Sequence, residues 1–462
     1  MSHSPDSHFF SHLAHQRTIV LGGGITGMSL RSFLQTHAES VLVIDEKPSI
    51  GDARHELTKD DLEHCDLVVV SPGWKMDHPF VRMVRERGIP LLSEIDLAWQ
   101  VKQARTPSQQ WVGITGTNGK TTTVHMVESI FRAAHINGVA CGNVGDTVID
   151  AVMHEPAYDY LAIELSSFQL EWSSHARYAA GAILNIAEDH LDWHGNFARY
   201  VAAKHRLLEA STIAIVNRDD QPTRRCGEKL PPQSTRYFTL DTPQRGELGL
   251  VENLLIDRAF IEGNDAEVIA ELSDIVPAVP HNVSNALAAG ALARAIGISA
   301  NEVQLGIKNF RLDHHRLETV AVHRGITWVN DSKATNPHAA LAALQSQLSA
   351  VWIAGGLAKG ASMDELIIRG KSRVKAVILI GTDAPLIEES LIRHAPDVPR
   401  FHIGQGEHGA PLMRKIVAKA VEIAVEGDTV LLAPACASMD QFSSYADRGE
   451  LFAQMVNEIV VK

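Results

Sequence analysis

Short runs of valine, isoleucine and leucine, bounded by glycine or aspartate, recur along the chain and alternate with segments of helical length. Near the N-terminus they are RTIVLGGG, SVLVID and CDLVVVSPG, and ITGMSLRSFLQTH separates the first two. Continuous apolar runs of this kind are typical of parallel strands that are buried on both faces. The pattern therefore predicts an α/β fold in which strands and helices alternate.

The same alternation returns in two later blocks. The second begins at Trp111, with predicted strands WVGIT, YLAIEL, AAGAILNI and TIAIVN, and the third begins near Leu312, with ITWVND, AVWIAGG, VKAVILIG and TVLLAPA. HNVSNALAAGALARAIG predicts a helix with Asn or Ser as its N-cap and Gly297 as its stop. Three blocks indicate three packed α/β domains, whose ligands bind at the carboxyl ends of strands.

Polar segments set the predicted boundaries. VKQARTPSQQW carries a proline and predicts a linker, whereas residues 217–250 give no clear pattern. We therefore expect domains at residues 1–106, 107–312 and 313–462, with residues 1–15 as a mobile tail.

Charge and cysteine content narrow the class of protein. The 462 residues include 42 Lys and Arg against 55 Asp and Glu, and this net charge of −13 argues against a nucleic-acid binder. The four cysteines form no CxxC pair, no signal-peptide pattern is present, and no apolar run approaches the roughly 20 residues that span a bilayer. We expect a cytoplasmic, reduced, monomeric protein without membrane insertion.

A first glycine cluster lies between a predicted strand and a predicted helix. Gly22, Gly24 and Gly27 fit GxGxxG, and Asp45 ends the next strand at the spacing of a ribose-binding carboxylate. An NAD enzyme and a tight turn without ligand are both compatible with this common pattern. We expect a nucleotide-type ligand here, but not NAD, because a second nucleotide loop follows.

That second loop is GITGTNGKTTT, residues 113–123. It departs from the usual P-loop spacing, because Ile114 stands where the first glycine belongs. Glycine backbone N–H groups at a helix start still form an anion site, to which Lys120 and Thr121 add a phosphate contact and a Mg²⁺ ligand. A turn without function is the alternative, but Lys followed by three Thr is poor helix sequence, which favours the phosphate site.

Candidate metal ligands follow the next strands. Glu164 ends a hydrophobic strand, where an ionised carboxylate needs a cation. NIAEDHLDWHG then places Glu188, Asp189, His190, Asp192 and His194 within seven residues, as part of a metal shell or as a solvated acidic turn. Lys204, in RYVAAKHRLLEA, is expected from sequence alone to be a solvated helical lysine.

Four loops of the third block carry positively charged side chains and hydroxyl groups. They are RLDHHRLETV with Arg316, NDSKATN with Asp331, Lys333, Thr335 and Asn336, GGLAKGAS with Lys359, and PACASMDQF with Cys436 and Ser438, followed by Tyr445 and Arg448. Such a set suits an anionic, carboxylate-rich substrate. Cys436 invites interpretation as a nucleophile, but a small packed residue is the favoured interpretation because no histidine is evident beside it.

Taken together, the motifs resemble those of the Mur ligase family. They occur in the same order and extend over nearly the whole chain. They are SPG, TGTNGKTT, ELSSFQLE, NIAEDHLDWHG, YVAAKH, HNVSNALAA, DHHRLE and NDSKATN. The run PACASMDQFSSY, with the later RG, is similar to the branch that adds D-glutamate to UDP-N-acetylmuramoyl-L-alanine.

The resemblance implies a Rossmann-like N-terminal domain for the UDP-sugar, a central P-loop-type ATPase domain and a Rossmann-like C-terminal domain for the amino acid. It implies an ATP-dependent ligase of peptidoglycan precursor synthesis that works through an acyl phosphate. The alternatives are a related Mur or folylpolyglutamate-type ligase for another amino acid, including L-glutamate, and a regulatory protein that has lost ligase activity.

It also implies roles for single residues. ATP binding is implied for Gly116, Thr117, Asn118, Gly119, Lys120, Thr121, Thr122, Asn282, Asn285, Arg316 and Asp331. UDP-sugar binding is implied for Gly24, Ile25, Thr26, Asp45, Ser71, Pro72, Gly73, Asn143 and His190, and amino-acid binding for Thr335, Lys359, Ser438, Met439, Tyr445 and Arg448. Catalytic roles are implied for Lys120, Glu164, His190 and Lys204. Two Mg²⁺ ions are implied on Thr121, Glu164, His190 and Lys204, with Lys204 carbamylated by CO₂.

A few positions depart from the family pattern. Tyr445 stands where Phe is usual and Met439 where Leu is usual, Ala358 precedes Lys359, and Glu46 with Lys47 follows Asp45. The changes near Lys359 and Tyr445 leave the identity of the amino acid open, since an added phenol hydroxyl can rearrange a carboxylate pocket.

Overall fold

Residues 5–46, 53–263, 265–404 and 406–461 are described by a computed structural model. Their contacts form two compact units. The first takes its residues from Met1–Ile186 and Ala198–Phe310, and the second from Ala187–Phe197 and Arg311–Lys462.

A four-stranded parallel sheet begins the first unit. Its strands are β1 (Arg17–Leu21), β2 (Ser40–Ile44), β3 (Leu67–Val70) and β4 (Leu91–Ser93), in the order β2-β1-β3-β4. The helices around it are α1 (Pro5–Leu13), α2 (Ile25–His37), α3 (Lys59–Glu63), α4 (Pro79–Glu86) and α5 (Glu94–Arg105). The three predicted strands and the helix ITGMSLRSFLQTH are confirmed.

Two predictions for this region are wrong. Residues Pro5–Leu13 form a helix rather than a mobile tail, because Phe9 and Leu13 lie four residues apart and share its apolar face. Leu13 is 1% exposed and belongs to the same apolar cluster as Val101 of α5. The predicted linker also begins too early, since Val101–Arg105 is the last part of α5; residues 1–4 lie outside the described residues.

A nine-stranded sheet forms the rest of the first unit, in the order β13-β12-β11-β10-β9-β8-β5-β7-β6. Its strands are β5 (Gln110–Thr115), β6 (Gly138–Gly142), β7 (Tyr160–Glu164), β8 (Tyr178–Ile183), β9 (Ser211–Asn217), β10 (Thr235–Phe238), β11 (Glu247–Val251), β12 (Leu254–Asp257) and β13 (Glu267–Glu271). The helices are α6 (Lys120–Ala133), α7 (Val148–Met153), α8 (Ser167–Trp172), α10 (Phe197–Glu209), α11 (Gln221–Gly227), α12 (Pro280–Ala295) and α13 (Ala300–Asn309).

The four predicted strands of this block are confirmed, and the stretch without a clear pattern contains β10 and β11. These strands have only four and five residues and include charged side chains, so their sequence gives a weak signal. The helix from Pro280 is also confirmed, and Gly297 follows it with φ +89°. Its predicted N-cap is wrong, since the cap is Val279 and no side chain accepts there, because Pro280 already fixes the first turn.

The second unit is built on a six-stranded sheet in the order β14-β15-β19-β16-β17-β18, in which only the β14 pairing is antiparallel. Its strands are β14 (Glu318–His323), β15 (Ile326–Asn330), β16 (Ala350–Gly355), β17 (Val374–Ile380), β18 (Arg400–His402) and β19 (Thr429–Leu432). The helices are α9 (Leu191–His194), α14 (Pro337–Gln345), α15 (Asp364–Gly370), α16 (Ala384–His394), α17 (Gly409–Ile423) and α18 (Tyr445–Val456). All four predicted strands of this block are confirmed.

Separate apolar clusters cover the two faces of this sheet. One includes Leu344 and Leu366, and the other includes Ile416 and Phe452. Burial on both faces explains the continuous apolar runs from which the strands were predicted. Within the described ranges, none of the helices combines the length and apolar character that a bilayer crossing requires.

A buried carboxylate in the first unit makes its stability depend on pH. Glu94, at the start of α5, is 2% exposed and accepts a hydrogen bond from Gln169 Nε2 at 2.5 Å. Burial raises the pKa of Glu94 to about 7. Because the pKa of Glu94 is higher in the folded protein than in the unfolded chain, Glu94 does not reduce the stability below the unfolded pKa near 4.5. As the pH rises from there through 7, the buried carboxyl group ionises and the protein loses stability.

Glu94→Gln is therefore expected to stabilise the protein at pH 8 by about 2 kcal/mol and to have little effect at pH 4.5, because glutamine keeps the acceptor without the buried charge. Thermal unfolding at the two pH values checks this, with the exposed Glu86→Gln as the matched control. An equal change in melting temperature at both pH values would contradict a raised pKa of Glu94.

Candidate active site

The glycine-rich loop lies between β5 and α6, as its sequence context predicts. Gly119 has φ +85°, and a Cβ there would stand 2.4 Å from Asn285 Oδ1. Glycine is therefore required both by the backbone conformation and by the close approach of α12. The loop delivers its backbone to the N-terminus of a 14-residue helix, where backbone N–H groups and the helix dipole favour an anion.

Lys120 is the first residue of that helix and folds back over the loop. Its Nζ donates to Gly116 O and to Thr117 O, both at 3.0 Å. Thr121 follows it half-buried, and Thr122 is 3% exposed. The ammonium group is thus held over the turn in which a phosphate would bind.

Glu164 ends β7, as predicted, and is only 2% exposed. Its Oε1 accepts from Asn143 Nδ2 at 2.9 Å, whereas its buried Oε2 has no hydrogen-bond donor among the described residues. A buried carboxylate oxygen without a donor is costly unless a cation reaches it. The geometry therefore fits the predicted cation ligand.

Lys204 is 1% exposed, so the sequence-based prediction of a solvated lysine is wrong. Its Nζ lies 2.9 Å from Gly116 O and 3.3 Å from Thr115 Oγ1, and 4.7 Å from the centre of the Tyr200 ring. The helical spacing of Tyr200, Lys204 and Leu207 could have shown that the lysine lies on the buried face of α10.

Two lysines thus share one acceptor. Lys120 and Lys204 both donate to Gly116 O, which places the two nitrogen atoms no more than about 6 Å apart. Two ammonium charges this close in a buried site repel each other strongly. The arrangement favours an anion beside them, or a chemical change that removes one positive charge.

Two further residues, which were not predicted as site residues, contact this loop. Tyr200 OH lies 3.0 Å from Thr117 Oγ1, and the amide of Asn185 pairs with Asn118. Tyr200 could have been found from the periodicity of α10. Asn185 is the first residue of the motif NIAEDHLDWHG, but its pairing with Asn118 depends on where β8 ends relative to the loop.

Two asparagines on α12 are also buried. Asn282 is 3% exposed and donates from Nδ2 to Pro277 O at 3.1 Å, and Asn285 is 6% exposed beside Gly119. The structure therefore brings Asn285 to the glycine-rich loop.

The first glycine cluster forms a tight turn after β1. Gly22 has φ +105°, and a Cβ on Gly27 would lie 1.8 Å from Gly22 O. Asp45 Oδ2 accepts from Gly23 N at 2.6 Å, and the buried Ser71 has its Oγ 3.5 Å from Gly22 O. The structure thus brings the turn, Asp45 and Ser71 together at one sheet edge.

The remaining UDP-sugar candidates lie nearer the solvent. Ile25 is 83% exposed, Gly24, Thr26, Pro72 and Gly73 are exposed or half-buried around the same turn, and Asn143 is exposed while bonded to Glu164.

The second unit carries the ATP candidates Arg316 and Asp331, and also His190, a candidate for a metal ion and the UDP-sugar. His190, with φ +53°, is the N-cap residue of α9, and its Nε2 lies 3.5 Å from Asp189 Oδ2. Arg316 Nε lies 3.9 Å from Asp313, and Leu317 N donates to Asp331 Oδ1 at 3.2 Å. Desolvation raises the pKa of Asp331 to about 7.

The buried side chain of Arg448 connects two loops of the second unit. It is fully buried, and its guanidinium donates to Ser332 Oγ and Ser332 O at 2.9 Å and to Cys436 O at 3.3 Å. Burial lowers its pKa to about 10. The side chain therefore holds the loops that carry the amino-acid candidates.

Those candidates differ in exposure. Ser438 is 3% exposed, Thr335 is half-buried, Lys359 is exposed and Met439 is 70% exposed, and Lys333 Nζ lies 3.8 Å from the centre of the Tyr445 ring. Cys436 is completely buried, and burial raises its pKa to about 12, which supports the interpretation as a packed residue.

Three family models match consecutive parts of the chain. They are the Mur ligase MurD-like N-terminal domain at residues 16–93, the Mur ligase middle domain at 114–293 and the Mur ligase glutamate ligase domain at 315–436. The chain belongs to the Mur ligase family. The predicted family and the three-domain α/β fold class are thereby confirmed.

Curated relatives cover most of this Mur ligase. A UDP-N-acetylmuramoylalanine–D-glutamate ligase of Thermobifida fusca is 43% identical, covering 97% of this chain and 99% of the relative. One of Streptomyces avermitilis is 48% identical over 85% of each chain. Among solved structures, a pseudomurein peptide ligase type C from Methanothermus fervidus has a TM-score of 0.61 at 17% identity, covering 96% of this chain and 100% of that one, and it shows the shared fold.

Proposed function

We propose that this Mur ligase joins D-glutamate to the L-alanyl carboxylate of UDP-N-acetylmuramoyl-L-alanine, with ATP cleaved to ADP, in peptidoglycan precursor synthesis. One observation carries the nucleotide chemistry: two lysines converge on Gly116 O within an anion-binding turn, with Glu164 ending the strand beside β5. The substrates follow from the names of relatives that match this chain over most of its length.

The reaction has two steps. The alanyl carboxylate attacks the γ-phosphorus of ATP, and the bond from that phosphorus to the bridging oxygen breaks, which leaves an acyl phosphate and ADP. The neutral amine of glutamate then attacks the acyl carbon, and inorganic phosphate leaves as the amide forms and the amine loses a proton. Lys120 and the N-terminus of α6 offset the repulsion between a carboxylate and a polyanion.

Magnesium fits the donor set in the first unit. Glu164 Oε2 is buried without a donor among the described residues, and Thr121 follows Lys120 in the first turn of α6. Mg²⁺ prefers such oxygen ligands and, when bound, neutralises phosphate charge. We propose two ions, the first on Thr121 and Glu164 and the second on His190 and Lys204.

Carbamylation of Lys204 supplies the oxygen ligands that an ammonium lacks. A carbamate on Lys204 would place two oxygen atoms beside Gly116 and Thr115, where the ammonium group now lies. Addition of CO₂ also replaces the repulsion between Lys204 and Lys120 by attraction. Thr115 and Gly116 orient the nitrogen atom for this reaction.

The other sites keep their sequence-based assignments as proposals. The UDP-sugar assignments are kept for Gly24, Ile25, Thr26, Asp45, Ser71, Pro72, Gly73, Asn143 and His190. The glutamate assignments are kept for Thr335, Lys359, Ser438, Met439, Tyr445 and Arg448. The ATP-binding assignments are kept for Asn282 and Asn285 in the first unit and for Arg316 and Asp331 in the second. Domain boundaries at 106/107 and 312/313, a monomer and a cytoplasmic location are part of the same proposal.

A product assay tests the proposed activity. We expect ADP release from ATP to require both UDP-N-acetylmuramoyl-L-alanine and D-glutamate, and the amide product to form far faster with D- than with L-glutamate. ADP release at full rate without an amino acid would contradict the proposal. A clear preference for another amino acid would instead identify a different branch of the family.

A further inference from the structure

We propose that Asn185 is a positioning residue that sets the conformation of the nucleotide loop. It lies two residues after β8, the strand that pairs in parallel with β5. Asn185 is the first residue of the motif NIAEDHLDWHG, but it is not among the predicted site residues. Its contacts are with the residues of the loop between β5 and Lys120.

Hydrogen bonding between the two strands continues past their ends. Leu184 N donates to Thr115 O at 3.0 Å, and Thr117 N donates to Asn185 O at 2.9 Å. These backbone bonds extend the sheet ladder into the first part of the loop. The chain must then leave the sheet plane, because Gly119 takes a positive φ to begin α6.

The side chain of Asn185 carries the pairing one residue further. Asn118 N donates to Asn185 Oδ1 at 2.8 Å, and Asn185 Nδ2 donates to Asn118 O at 3.0 Å. A primary amide offers one acceptor and a donor group side by side, so it pairs with a backbone segment as a neighbouring strand would. Asparagine thus fixes Asn118 although the backbones have already diverged.

This contact leaves the loop little freedom. A Cβ on Gly116 would lie 3.1 Å from Leu184 Cβ and 3.5 Å from Asn185 N, so the loop is also packed closely on this segment. On the far side Asn285 approaches Gly119. The N–H groups that bind phosphate are useful only if they are already oriented, because ordering them on binding lowers affinity.

Two substitutions of Asn185 test its two hydrogen bonds to the Asn118 backbone. Asn185→Asp keeps an acceptor for Asn118 N but sets a carboxylate oxygen against Asn118 O, and Asn185→Leu keeps the approximate size without either hydrogen bond. Asn137→Asp is the matched control, since its exposed amide donates to Ala157 O at 3.0 Å in the same unit.

Calorimetric binding of ADP with Mg²⁺ to the full-length protein tests the role. Because this role presupposes a nucleotide loop, the readout uses no other substrate. We expect about tenfold weaker ADP binding for both variants and no change for the control. In steady-state assays, the KM for ATP should rise while the KM values for the other two substrates stay within about twofold.

The outcomes distinguish the nucleotide-binding assignment of the loop from the positioning role of Asn185. If the wild-type protein binds no ADP, the nucleotide assignment and the positioning role both fail. If the wild-type protein binds ADP and the variants bind it equally well, the positioning role alone fails. A lower melting temperature with unchanged ADP affinity would show a merely structural residue and also overturns the proposal.

Discussion

Lys204→Ala is expected to lower kcat for ligation by about three orders of magnitude or more, because it removes both the proposed carbamate and the second metal ligand set. The fold should survive, since the alanine variant keeps the apolar neighbours of α10. Steady-state ADP release measures the loss. The exposed Lys229→Ala variant of the same unit is the control and should keep full activity.

Chemical rescue makes this expectation specific. Short carboxylic acids such as acetate or propionate should restore part of the activity of Lys204→Ala, because a free carboxylate can occupy the space of the carbamate. The wild-type protein should also show a carbamate carbon signal by NMR in carbon-13-labelled bicarbonate, and the variant should lack it. Full activity of Lys204→Ala, or an unmodified lysine in the active wild-type protein, would contradict carbamylation.

Lys120→Ala is expected to lower kcat/KM for ATP by about three orders of magnitude, because the ammonium group offsets charge that develops during phosphoryl transfer. The variant also loses the two hydrogen bonds to Gly116 O and Thr117 O, so ADP binding should weaken. Steady-state kinetics and ADP calorimetry measure the two effects.

Arginine at the same position separates charge from geometry. Lys120→Arg keeps the positive charge, but its planar guanidinium cannot occupy the position of the compact ammonium between two loop carbonyls. We expect it to bind ADP better than the alanine variant and still to be slow in catalysis. Activity of Lys120→Ala within tenfold of the wild-type value would contradict its placement at the reacting phosphate.

The position of a buried strand can be predicted from sequence when the strand is apolar on both faces. All eleven predicted strands are present in the structure, and the glycine-rich loop lies between a strand and a helix as its spacing requires. Short amphipathic elements were harder to predict. β10 and the N-terminal helix α1 each rest on a few apolar residues, so their apolar periodicity is too short to stand out.

The sequence by itself determined the alternating α/β order, the phosphate-type loop and the buried acid Glu164 at a strand end. These features depend on residues that are close along the chain. The tertiary structure decided that Lys204 is buried against Gly116 O, that Asn185 pairs with Asn118, and that Arg448 holds two loops from beneath. Each of these contacts joins residues from 67 to 116 positions apart, so only packing of the sheets and helices could reveal them.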